Sequence, residues 1–208
     1  MQTTNRLRSE RPRKKYDFYE TPIELCKESL TRLFIDERLD FGGVYLDAGA
    51  GSGVWGKALY SCKDMGENVF SHYIIGVDIV KRDISVGYDS WKCVDFIDFE
   101  DSGVDMVFGN PPYSIAEEFV RKGMELVIDG GYVYFLLRLA FLESKKRHFG
   151  LFTEMNPKRV YVLSRRPSFF TTKDGSKTVD ALAYAMFLWQ KGYEGKPELD
   201  WLYWDYDK

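Results

Sequence analysis

Asn110-Pro111-Pro112-Tyr113 is the part of this 208-residue sequence whose residue types and spacing come closest to dictating a chemical task. Two successive prolines fix φ, push the residue before them out of the helical region, and present carbonyl groups that no local amide can take. The segment therefore reads as a rigid extended turn holding an Asn side-chain amide, a prolyl carbonyl and a Tyr ring in set positions. A structural turn explains the prolines. It does not explain the Asn and Tyr that flank them. A second chemical segment lies earlier, where Asp47-Ala48-Gly49-Ala50-Gly51-Ser52-Gly53 follows an apolar run and opens a helical pattern, so that its backbone can approach a ligand closely. Other chemistries have little to draw on. His72 and His148 are the only histidines, and Cys26, Cys62 and Cys93 lack C-x-x-C spacing, so the sequence argues against a His-based triad and a metal site. The cysteines read as apolar filler.

Three cofactor readings compete for the glycine loop. The dinucleotide fingerprint G-x-G-x-x-G fails, because the glycines are Gly49, Gly51 and Gly53 and the next residue is Val54. The phosphate loop G-x-x-x-x-G-K-[ST] matches at Gly51, Gly56 and Lys57, but Ala58 has no hydroxyl to bind the accompanying magnesium. The third is the D-x-G-x-G-x-G loop of S-adenosylmethionine (SAM) enzymes, which Asp47 to Gly53 resembles without a gap. In that family the loop, with Asp47, Ala48, Gly49, Gly51 and Gly53 here, wraps the methionine end of the cofactor. Asp78 ends the next β-like run, where a carboxylate can accept from both ribose hydroxyls. Asp95 and Phe96 follow the third run, where the family contacts the adenine ring by a carboxylate and an apolar side chain.

The Asn110 to Tyr113 segment resembles the N-P-P-Y motif of methyltransferases that modify planar exocyclic amines: adenine-N6 and cytosine-N4 DNA enzymes, with relatives acting on RNA bases or glutamine amides. The resemblance implies that the Asn110 side-chain oxygen and the Pro111 carbonyl bind both amine hydrogens and draw the nitrogen toward sp³ geometry, that Pro112 stiffens the turn, and that Tyr113 stacks on a flipped base. Asn110 also counts among the cofactor contacts. Asp17-Phe18-Tyr19-Glu20-Thr21-Pro22 resembles the family's N-terminal cofactor motif, which assigns Tyr19, Thr21 and Pro22 to the methionine carboxylate, although Glu20 interrupts the usual aromatic-x-Thr-Pro spacing. This motif first, the SAM loop second and N-P-P-Y third is the γ arrangement typical of adenine-N6 DNA methyltransferases. The segments 137–142 and 165–169 resemble small phage-borne enzymes of that kind, and the likeness spans roughly residues 16 to 190.

These residues need a frame, and the apolar pattern supplies one. Thr21-Pro22-Ile23-Glu24 reads as a capping box opening a helix that runs to about Arg38. Beyond it, β-like runs at Val44–Asp47, Tyr73–Asp78, Trp91–Val94, Asp105–Phe108, Tyr132–Leu137, Arg159–Leu163 and Ala183–Trp189 alternate with helical segments at Trp55–Cys62, Ala116–Ile128 and Leu142–Glu154. The expected fold is α/β and Rossmann-like: a seven-stranded, mostly parallel sheet with helices on both faces and an antiparallel C-terminal hairpin at its edge. Residues 16–208 read as one methyltransferase domain without a separate target-recognition domain, preceded by a flexible basic arm over 1–15.

Composition narrows the partners. Apolar residues make up 45% and charged residues 29%, which excludes a disordered chain. No run approaches a membrane span, and the polar N-terminus lacks the apolar stretch of a secretion signal, so a cytoplasmic protein is expected. The net charge of −3 argues against a general nucleic-acid binder, but it is unevenly distributed. Arg6, Arg8, Arg11, Arg13, Lys14 and Lys15 cluster at the start, and basic residues dominate from Arg138 to Lys177. Arg138, Arg165, Arg166, Lys173 and Lys177, with Phe169, are the candidate nucleic-acid contacts: cations for phosphates and an aromatic for a displaced base. DNA is favoured over RNA by the γ order. The alternatives are an RNA or protein-glutamine methyltransferase, a SAM-binding module without turnover, and a phosphotransferase, which Ala58 disfavours.

Overall fold

Strand β1 (Gly43–Ala48) sits where the sheet changes direction, with β2 (His72–Asp78) on one side and β4 (Val104–Gly109) on the other, all parallel. The computed structural model describes residues 20–39, 42–62, 72–82, 87–171, 177–178 and 181–205. The further strands are β3 (Ser90–Cys93), β5 (Val127–Arg138), β6 (Arg159–Leu163), a short separate ribbon of β7 (Phe170–Thr171) and β8 (Lys177–Thr178), β9 (Tyr184–Gln190) and β10 (Glu198–Leu202). The main sheet has 8 strands in the order β10-β6-β9-β5-β4-β1-β2-β3. Only β9 runs against its neighbours, pairing antiparallel with both β5 and β6. The expected antiparallel pair of β6 and β9 therefore forms. It does not lie at the edge, because β10 adds a parallel strand outside β6.

Helices cover both faces. Helices α1 (Ile23–Glu37) and α2 (Val54–Ser61) bury Leu25, Leu30, Leu33, Trp55 and Leu59 against one face, where Tyr134 and Leu136 of β5 point. Helix α3 (Ala116–Leu126) and Leu151 of α5 (Leu151–Glu154) cover the other, meeting Val133, Phe135 and Leu137. A strand buried on both faces reads as an unbroken apolar run, which is why β5 was legible. Where the elements carry charge, it fastens the rim: Lys158 and Arg159 at the start of β6 pair with Glu37, and Arg32 of α1 reaches Asp200 of β10 at 2.5 Å.

Three local expectations need correction. Helix α1 begins at Ile23 with Pro22, which has no polar side chain, at the N-cap position; Thr21 lies one residue outside it, and its hydroxyl accepts from the Asn110 side-chain amide nitrogen at 3.2 Å. The expected helix at 142–154 breaks in two: Ser144 caps the short α4 (Lys145–Phe149), Gly150 ends it, and α5 follows. Cys93 is exposed, whereas Cys26 and Cys62 are buried as filler. Among the described residues no helix is long and apolar enough to cross a membrane, and no group of three or more His, Cys, Asp or Glu residues could hold a metal ion. The basic arm over 1–15 lies outside the described residues.

Candidate functional site

The strand order reverses between β1 and β4, and in an open α/β sheet the crevice outside the carboxyl ends of the strands at such a point is where ligands bind. A cleft of about 420 Å³ lies there. The loop after β1 forms its floor. Gly49, Gly51 and Gly53 have φ of 73°, 57° and 80°, a left-handed conformation that a Cβ would strain. The loop is tied down by β2: Gly49 and Ala50 donate N–H bonds to the Val77 carbonyl at 2.9 and 3.0 Å, and the Gly51 N–H donates to Asp78 Oδ2 at 2.8 Å. Asp78 Oδ1 accepts from the Val80 N–H at 2.7 Å, so the loop and the end of β2 hold one carboxylate in place. A carboxylate has about four lone-pair sites, which leaves capacity for hydroxyl donors from a ligand.

The opposite wall comes from β4. A Cβ at Gly109 would stand 2.9 Å from the Ala48 carbonyl oxygen, so the missing side chain lets β4 end directly against β1 and delivers Asn110 into the cleft. Its amide nitrogen is held by Thr21, which fixes the orientation of the side chain. Thr21, Gly49, Gly51, Asp78, Asp95, Phe96, Asn110 and Pro112 all line the cleft. Pro22, Asp47, Ala48, Gly53, Pro111 and Tyr113 are not among the lining residues, and Tyr19 lies outside the described ones.

Asp47 is wholly buried beneath the loop. Tyr88 donates its hydroxyl to Asp47 Oδ2 at 2.5 Å and accepts from the Gly56 N–H at 3.3 Å, joining the end of β1 to the first turn of α2. Burial pushes the Asp47 carboxyl up to about 7, the Tyr88 hydrogen bond opposes this, and the nearby Asp78 charge adds to it. Burial, reinforced by Asp47, keeps the Tyr88 phenol protonated and so a donor. The Tyr88 ring occupies the space that a side chain on Gly56 would take, since a Cβ there would stand 2.4 Å from it. Sequence reasoning missed Tyr88, because nothing local to Gly87-Tyr88 signals a partner in β1. It also missed Glu20, which accepts from the Ser52 hydroxyl at 2.6 Å across the cleft mouth, and the apolar lining of Trp55, Ile79, Ile115 and Phe119.

The expected nucleic-acid residues divide into groups. Arg138 lies over the Tyr113 ring at 4.9 Å. Phe169 is buried, 5.1 Å from Tyr184, whose ring is in turn 5.7 Å from that of Tyr113. Arg165 pairs with Asp205 and lies over Trp204 at 5.8 Å, so it anchors the chain after β10. Arg166 is exposed. Lys173 and the side chain of Lys177 lie outside the described residues.

No family model and no curated protein matches the sequence. Solved structures do match. An inferred class I SAM-dependent methyltransferase from Listeria monocytogenes aligns with a TM-score of 0.65 at 15% identity, over 88% of this chain and 65% of its own. An inferred RNA methyltransferase from Pyrococcus horikoshii gives 0.64 at 17% identity, over 85% and 87%. The methyltransferase subunit of a type I restriction-modification system from Streptococcus thermophilus gives 0.63 at 15% identity, over 85% of this chain and 45% of its own. This chain thus spans just under two thirds of the first of these and less than half of the third. The likeness identifies the fold as the α/β, Rossmann-like fold of class I methyltransferases.

Proposed function

We propose that this protein is a SAM-dependent methyltransferase acting on the exocyclic N6 amine of adenine in DNA. The observation that carries this reading is the delivery of Asn110, at the head of Asn110-Pro111-Pro112-Tyr113, into the same cleft that the glycine loop floors. The cleft has the volume of a small-molecule site. Its parts fit SAM: a close-approach glycine loop for the methionine end, Asp78 for ribose hydroxyls, Asp95 for the adenine amine, and Phe96, Ile79 and Phe119 as apolar surface for the ring. Bound there, the cofactor would supply a methyl group activated by its sulfonium.

The residues of the chain then position the target. An aromatic amine is a poor nucleophile because its lone pair is delocalised into the ring. The Asn110 side-chain oxygen and the Pro111 carbonyl accept from its two hydrogens, which favours the pyramidal nitrogen that attacks the methyl carbon. With the methyl group that the cofactor would supply as acceptor, the amine lone pair would form the new C–N bond as the C–S bond breaks to leave a neutral thioether, and the extra proton on nitrogen would pass to solvent. Thr21 keeps the Asn110 amide turned the right way, and Tyr113 supplies the stacking surface for the base. Positioning and electrostatics carry the rate, and no strong general base is required.

The test is transfer of labelled methyl from SAM to unmethylated bacterial DNA, to bulk RNA and to protein, with digested nucleosides identified by mass. N6-methyladenine in DNA is the expected product. Label in RNA alone, the substrate class named for the Pyrococcus horikoshii structure, would keep the mechanism and replace the substrate. Label in none of the three would overturn the reading.

A further inference from the structure

The ring on which a target base would stack is already covered. Tyr113 follows the two prolines, and the Arg138 guanidinium lies over its ring, 4.9 Å from the centroid. Arg138 ends β5 and is the register partner of Tyr184 on β9, whose buried ring packs 5.7 Å from that of Tyr113. The chain thus brings a cation, a motif aromatic and a rigid aromatic backing together beside the cleft. Arg138 is exposed and has no carboxylate partner among the described residues, in contrast to Arg159 and Arg165. Among the described residues its side chain makes one contact, the cation–π contact with Tyr113, of the weak, exposed kind that a better ligand can displace.

Resting on the function proposed above, we infer that Arg138 is a displaceable cover for the base site. It holds the face of Tyr113 in the free protein, leaves it when the purine stacks there, and takes a phosphate of the same nucleic-acid strand. A guanidinium suits both positions, since it is planar for the ring and a charged, forked donor for phosphate oxygens. The exchange favours a base that arrives attached to its backbone over a loose nucleoside, because only the former offers the displaced charge a new partner. Arg138 is in this sense a specificity-determining residue for polymeric substrate.

The prediction has opposite signs for two probes, each measured with S-adenosylhomocysteine present: 2-aminopurine riboside, which has no phosphate, and single-stranded (dA)12 containing one 2-aminopurine. Arg138→Ala should bind the riboside about two- to five-fold more tightly, because no cation need be displaced. The same variant should bind the oligonucleotide several-fold more weakly, with a salt dependence reduced by roughly 0.7 in log–log slope for one lost phosphate contact. Arg138→Gln, which keeps a polar side chain without the charge, should behave alike, and Tyr113→Ala should abolish riboside quenching. Riboside binding that is unchanged or weaker in both Arg138 variants would overturn the inference, the first outcome marking a plain phosphate contact and the second a structural role. Oligonucleotide affinity unchanged in both variants would overturn it as well. Wild-type protein that holds S-adenosylhomocysteine but binds neither probe would sink the substrate reading itself, and this inference with it.

Discussion

The two ends of the site are built by different means. The end proposed to hold the cofactor, at the tips of β1, β2 and β3, rests on backbone: left-handed glycines, N–H groups tied to Val77 and Asp78, and a buried carboxylate held from below by Tyr88. The end proposed to hold the target base, at the tips of β5 and β9, rests on side chains that meet from distant positions: Tyr113, Arg138, Phe169 and Tyr184. Backbone construction makes the first end rigid and sensitive to single atoms. Side-chain construction leaves the second open to rearrangement by what binds it.

The contrast is sharpest in pH dependence. Asp47 has its carboxyl raised to about 7, against an unfolded value of about 3.9. Between those values the unfolded chain has released the proton while the folded one keeps it, so stability from this group is complete below about pH 4, falls as pH rises, and levels off above 7. Comparing the unfolding free energy of wild type and Asp47→Asn by urea titration across this window should reveal a difference that grows by up to about 4 kcal/mol from low to high pH in favour of the variant. A flat difference would mean that the carboxylate is solvated, and that the cofactor end is less tightly built than described.

Smaller effects should follow the same division. Gly56→Ala forces a Cβ to within 2.4 Å of the Tyr88 ring and 2.7 Å of the Gly87 carbonyl, and should cost about 1–3 kcal/mol in thermal or urea unfolding together with SAM affinity. Tyr88→Phe removes only the hydroxyl, leaving Asp47 Oδ2 without that donor, and should cost about 1–2 kcal/mol in the same assay. In the side-chain contacts beyond the cleft, Arg165→Ala breaks an exposed pair with Asp205 that anchors the chain after β10, so its stability should change by less than about 1 kcal/mol. A larger loss there than at Gly56 would invert the comparison.

The same division decides what was legible in the sequence. Strands β1 and β2 could be read because burial on both faces leaves continuous apolar runs, and the glycine loop because its backbone conformation demands glycine at fixed spacing. Strand β10 was hidden. Glu198 and Asp200 alternate with Leu199 and Trp201, which the structure leaves exposed, so the segment carries no apolar run, and only the pairing with β6 makes it a strand. Tyr88 escaped notice because its partner Asp47 is 41 residues away. Thr21 reads from the sequence as a helix cap and, by resemblance, as a cofactor contact; that its hydroxyl accepts from Asn110 at a different strand end, 89 residues on, leaves no local sign. Contacts between remote positions leave no spacing to read, and most of the target end consists of them.

The most direct test of the account is one variant measured in two ways. Asn110→Ala should bind SAM within about ten-fold of wild type, since the glycine loop, Asp78 and Asp95 are untouched, while the rate of methyl transfer falls about 10²- to 10³-fold with the loss of a transition-state acceptor. Equal losses in SAM affinity and rate would make Asn110 a cofactor ligand alone, and an unchanged rate would contradict the assignment of Asn110-Pro111-Pro112-Tyr113 as the amine-positioning segment.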